Sequence, residues 1–210
     1  MRYIVIVFCC VFWQLGVCAQ NVEIRDVFKQ MPDTICRYLS TNNKLDLIDF
    51  LDSNMEDKIS NSFNGTTTLD VMTNDYLKAT LTPASLLEMR LLPYKPAGAT
   101  VDGQIICMVT TYGDSIKESV VNFYTTGWKE IKRIKNPLSS DIIKQIVSSD
   151  STLSSSGMGC ADYCAEARLS STDNTMTVSF ALPQYIEGDK IVTKHMNVLK
   201  TLKWDGTSFK

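Results

Sequence analysis

The sequence predicts an α+β fold, with N-terminal helices packed on a mostly antiparallel meander sheet. Two observations lead there. Apolar residues recur at helical spacing near the start, and after Asn64-Gly65 the period drops to two, with short turns joining the successive alternating runs.

Ile24, Val27, Phe28 and Met31 predict a short amphipathic helix that Pro32 ends. A second helix follows. Asn43 is placed to cap it, Asp46 and Asp49 lie early where the helix dipole favours anions, and Leu47, Ile48, Leu51 and Met55 form its apolar stripe. In the alternating region Leu77, Ala79 and Leu81 interleave with Lys78, Thr80 and Thr82. Leu87, Met89 and Leu91 interleave with Glu88 and Arg90, and Thr82-Pro83-Ala84-Ser85 joins the two runs as a hairpin. The continuously apolar Ile105 to Val109 belongs inside the sheet.

Val121 and Phe123 continue the pattern, and Thr125-Thr126-Gly127 is expected to turn the chain into a strand carrying Trp128 and Ile131. The basic cluster Lys129, Lys132, Arg133 and Lys135 reads as a solvated strand edge that resists edge-to-edge pairing. Pro137 and Leu138 open a short helix with Ile142, Ile143 and Ile146, capped by Ser139 or Ser140, and a Ser-rich loop is expected over 148–159. Met176, Val178, Phe180 and Leu182 mark another strand. Ile191 to Trp204 reads as one long or bulged strand, and Asp205-Gly206 turns the chain back to Phe209. Helix-then-strands thus occurs twice, so a single domain, 20–210, admits two helix-plus-sheet halves, 20–136 and 137–210.

Residues 1–19 are expected to be a secretory signal peptide. Arg2 supplies its charge, the apolar run Tyr3 to Trp13 is too short for a membrane span, and Val17 and Ala19 are the small residues before a cut that leaves Gln20 first. Cys18 after Leu15-Gly16-Val17 is the lipid-anchor alternative. The reading implies a periplasmic or extracellular protein. Cleavage removes Arg2 and no acid, leaving 20 basic against 23 acidic residues and no basic stripe, which argues against nucleic acid. No later segment approaches membrane length.

Cleavage also leaves four cysteines, Cys36, Cys107, Cys160 and Cys164. The first two sit in apolar contexts and read as small buried hydrophobes. Cys160 and Cys164 are a candidate disulfide in an oxidising compartment, provided that a turn separates them. With one histidine, His195, no paired metal-ligand spacing exists, so neither metal nor cofactor is expected. Glu88, Glu118, Glu130 and Glu166 each read as a strand's solvent face. Tyr124, Trp128, Trp204 and Phe209 form a sugar- or peptide-binding platform if they share an open face.

Met31-Pro32-Asp33-Thr34-Ile35-Cys36-Arg37-Tyr38-Leu39 and Lys44-Leu45-Asp46-Leu47-Ile48-Asp49-Phe50 resemble a family of exported Bacteroidales proteins of unknown function. The likeness continues through Leu86 to Pro93, Ile105 to Tyr112, Phe123-Tyr124 with Trp128-Lys129, and Trp204-Asp205-Gly206 with Phe209. The resemblance implies a periplasmic or surface setting and no activity. It also implies O-glycosylation at Asp-Ser/Thr-x sites, matched by Thr34, Ser115 and Ser151.

The expectation is therefore a non-enzymatic binding or interaction module with a protein, peptide or glycan partner. The alternative is a hydrolase of envelope substrates acting through Cys160 or a carboxylate pair.

Overall fold

The computed structural model describes residues 22–53, 55, 58–96, 103–149, 164–186 and 190–210. The expected leader with Cys18, together with Ser151, Cys160 and most of the Ser-rich segment, lies outside them.

Two helices, α1 (Ile24–Lys29) and α2 (Thr41–Asp52), precede six strands: β1 (Lys58–Ser60), β2 (Thr66–Met72), β3 (Tyr76–Thr82), β4 (Ser85–Tyr94), β5 (Gly103–Tyr112) and β6 (Glu118–Thr125). These six form one antiparallel meander in sequence order. Helix α3 (Ser140–Ser149) leads to a second antiparallel sheet of β7 (Cys164–Leu169), β8 (Thr175–Ile186) and β9 (Lys190–Lys203). The class is α+β, as the change of period indicates.

The pleat of the larger sheet sorts its side chains between two cores. Leu77, Ala79, Leu87, Met89, Leu91 and Ile106 face α1 and α2 and pack with Ile24, Phe28, Leu47 and Ile48. Tyr76, Leu92, Ile105, Cys107, Val109, Val121 and Phe123 face the other way. There they meet Ile143 and Ile146 of α3, Ala167 of β7, Val178 and Phe180 of β8, and Leu202, Trp204 and Phe209 near the chain end. The second core draws on both expected halves, so the smaller sheet roofs the larger one.

Several local expectations change. Ser40, not Asn43, caps α2: the Asn43 amide donates to Ser40 Oγ at 3.2 Å and the Ser40 amide to Asn43 Oδ1 at 3.1 Å. Met55 falls past the helix end and is exposed. Cys36 lies in a turn rather than a helical stretch, yet is buried. Trp128 opens no strand; it sits in a tight loop at φ 64°, where its amide donates to Thr125 O and its indole Nε1–H to Val27 O at 3.0 Å. That conformation is rare for a bulky residue and is held here by α1. The basic cluster therefore lies on this loop rather than on a strand edge, and the Arg133 Nε–H donates to Tyr94 Oη at 2.8 Å. Finally, α3 runs through Ser149, so the first two residues of the expected 148–159 loop are helical.

Sheet-to-sheet contact also seals one strand edge. The Ala167 amide of β7 points away from β8 and donates to Ser119 Oγ of β6 at 2.9 Å, and that hydroxyl lies 2.7 Å from Thr111 Oγ1.

Candidate functional site

Beside that sealed edge opens a polar cleft of about 480 Å³. Its base is the second-core face of β3 and β4 beyond the roof; its far wall is β7 and the turn that follows, and the β5–β6 turn closes one end. Three cations line it: Lys78 of β3, Arg168 of β7 and Lys117 of the β5–β6 turn. Glu88 is the one carboxylate among its lining residues, and Thr80, Thr82, Ser85, Thr111 and Ser171 supply hydroxyls. Gly113 shapes the turn. It adopts φ 110°, and a Cβ there would meet Ile116 O at 1.9 Å, so only glycine fits.

Glu88 was expected on a solvent face but is 3% exposed. Both faces of β4 are covered, so alternation does not carry this carboxylate into water. Tyr76 Oη–H donates to Glu88 Oε1 at 2.8 Å, whereas Oε2 is buried without a hydrogen-bonded partner among the described residues, Arg168 Nη1 standing 3.7 Å away. Arg168 in turn is held by Glu166 Oε1 at 2.6 Å. Burial raises the Glu88 pKa above the ordinary carboxylate range, while the Tyr76 hydroxyl, Arg168 and the Leu169 backbone oppose the shift. Burial and the Glu88 charge together push the Tyr76 phenol up.

The sign of this coupling gives a prediction. An acid whose folded pKa is raised holds its proton more tightly when folded, so ionisation opposes folding. Its stabilising influence is complete below the unfolded value of 4.5 and is lost as pH rises through the folded value. The unfolding free energy of Glu88→Gln relative to wild type should therefore improve as pH climbs from about 4.5. Urea titrations at several pH values measure it, and a difference independent of pH would show that Glu88 ionises as though in water.

The four aromatics expected as one platform are divided between the two cores. Trp128 (8% exposed) packs on Tyr124 at 5.5 Å on the helix-covered face, whereas Trp204 (5%) and Phe209 (3%) pack edge to face at 5.2 Å in the other core. Trp128, Trp204 and Phe209 are thus core residues, and Tyr124 is half-buried beside Trp128. Thr34 and Ser115 are exposed in turns, open to modification. Cys164 begins β7, half-buried, with its thiol pKa raised by burial; its expected partner Cys160 is outside the described residues, as is Ser151. In backbone register Cys164 and His195 flank Ala181 from either side. That row sets their backbones two strand spacings, about 10 Å, apart. Among the described residues no group of three potential ligands could hold a metal, and no helix is long and apolar enough to cross a membrane.

Residues 15–209 match a family model described as a protein of unknown function, DUF3256. No curated protein matches. A solved structure, described as that of a domain of an uncharacterized protein from Porphyromonas gingivalis W83, is similar at a TM-score of 0.60 and 18% identity, over 89% of this chain and 96% of that one. At that identity the likeness is one of fold.

Proposed function

The chain belongs to the DUF3256 family, whose description assigns no activity, and from its own surface we propose that it is an exported, non-enzymatic binding module whose polar cleft receives an anionic group of an envelope partner. One observation carries this reading. Lys117 is half-buried in the cleft and has neither an ion pair nor a side-chain hydrogen bond among the described residues. An unpaired cation at the cleft wall has no counter-charge among the described residues, and an incoming carboxylate, sulfate or phosphate supplies one.

The neighbouring charges agree. Lys78 is weakly paired with Asp70 at 3.9 Å and Arg168 is engaged by Glu166 at 2.6 Å with Glu88 behind it, so Lys117 is the cation of the lining that stands unpaired among the described residues. The leader reading supplies the compartment, and the hydroxyls around the cations suit a polar partner rather than an apolar one.

Immobilised protein comprising residues 20–210, incubated with envelope extracts, tests the proposal. Wild type is expected to retain a salt-eluted partner that Lys117→Ala retains about tenfold less, as loss of one charge-assisted hydrogen bond implies. Equal retention by both proteins would overturn it.

A further inference from the structure

On the opposite face of the larger sheet, sharing no lining residue with the cleft, lies a second hollow of about 260 Å³. Tyr38, Phe63 and Tyr112 form its aromatic walls, with Tyr38 and Phe63 packed edge to face at 5.1 Å. Phe63 is 61% exposed and Tyr112 45%, unlike the buried aromatics of the two cores. Thr34 and Thr110 add hydroxyls. Arg37 stands exposed at the rim without an ion pair or side-chain hydrogen bond among the described residues.

Those three features select a ligand chemistry. Exposed aromatic faces take up a ring with an apolar C–H side, neighbouring hydroxyls take up that ring's polar rim, and a free guanidinium takes up a carboxylate in a forked pair. An extended peptide joining by strand addition has no backbone edge here, because β3 is paired with β2 and β4, and β5 with β4 and β6. We infer that the hollow is a binding subsite for a uronate residue of an acidic glycan, its ring against Phe63 and Tyr112 and its carboxylate on Arg37. This site stands independently of the cleft.

Calorimetric titration of residues 20–210 with tetragalacturonate and with a hyaluronan tetrasaccharide tests it, with the methyl-esterified tetragalacturonate and a tetraglutamate peptide as comparators. At least one acidic tetrasaccharide is expected to bind, about tenfold more weakly to Phe63→Ala and to Arg37→Ala, and unchanged to Lys117→Ala. The ester is expected to bind as weakly as the acid does to Arg37→Ala. Both substituted side chains are exposed, so circular dichroism should show the fold retained. Failure of both acidic tetrasaccharides to bind overturns the inference. So does binding indifferent to Phe63 and Arg37; if that binding requires Lys117, the sugar occupies the cleft and the anionic-partner reading survives alone. Tetraglutamate binding that requires Phe63 and Arg37, without saccharide binding, also overturns it by making the ligand a peptide.

Discussion

Replacing Arg90 with alanine is expected to lower the unfolding free energy by about 3–5 kcal/mol, the combined loss of three hydrogen bonds made by one buried guanidinium. Arg90 is buried on β4, and its guanidinium spends every branch on a different segment. Nη2 donates to Asp75 Oδ2 at 2.8 Å in the β2–β3 turn; Nη1 donates to Ser170 O at 2.8 Å and Nε to Asn174 Oδ1 at 3.1 Å, both in the β7–β8 turn. One side chain thus fastens the roof sheet to the sheet below it. Alanine removes all three bonds and the buried Arg90 stem, leaving an unfilled space beneath the partly exposed Asp75, Ser170 and Asn174. Lysine, with one compact ammonium in place of the fork, should fall between the two. Urea unfolding followed by far-UV circular dichroism measures the series. A loss under about 1 kcal/mol for Arg90→Ala would mean that the contact behaves like an exposed ion pair.

Trp204→Ala is expected to cost about as much, roughly 3–5 kcal/mol, for a different reason. The indole stacks on Phe123 at 5.8 Å, meets Phe209 at 5.2 Å, and donates Nε1–H to Pro93 O at 2.6 Å, so it ties the chain end to β4 and β6. The void left by alanine is bounded by strands on both sides and cannot collapse freely. Trp204→Phe separates the terms: it keeps most ring contact but leaves the Pro93 carbonyl unpaired, an expected loss of about 1–3 kcal/mol. The same denaturation curves give the answer, and equal losses for the two variants would mean that the hydrogen bond rather than the packing dominates.

Much of this architecture was legible in the residues. The alternation of Leu77, Ala79 and Leu81 with polar neighbours, and the turn at Thr82-Pro83-Ala84-Ser85, placed β3 and β4 with their hairpin, because a strand with one covered face writes its burial into the sequence. The same rule misled for Glu88 and Arg90. Both parities of β4 carry large apolar residues, Leu87 and Leu91 on one side and Leu86 and Leu92 on the other, which is how a strand covered on both faces reads. Charges within such a run are bound for the interior, and that signal was available.

The sites were less legible for a reason of distance. Lys78, Glu88, Lys117 and Arg168 come from four segments, and Tyr38, Phe63 and Tyr112 from three; only the folded register brings each set together. The aromatics expected as a platform, Tyr124, Trp128, Trp204 and Phe209, stand near the turns at Gly127 and Gly206. Turns of this kind end strands, and the rings beside them here pack into one or the other core rather than standing together on an open face.

The roofing of the larger sheet by the smaller one also fixes an order of events as the chain is made. Residues through 136 complete the meander with Tyr76, Leu92, Ile105 and Phe123 on a face that nothing yet covers. Their partners, from Ile143 to Phe209, are synthesised later and must close contacts across tens of residues, the slow kind of step in folding. During that interval the nascent chain presents a broad apolar surface, and its need for an attendant chaperone should be greatest just before the last strand emerges.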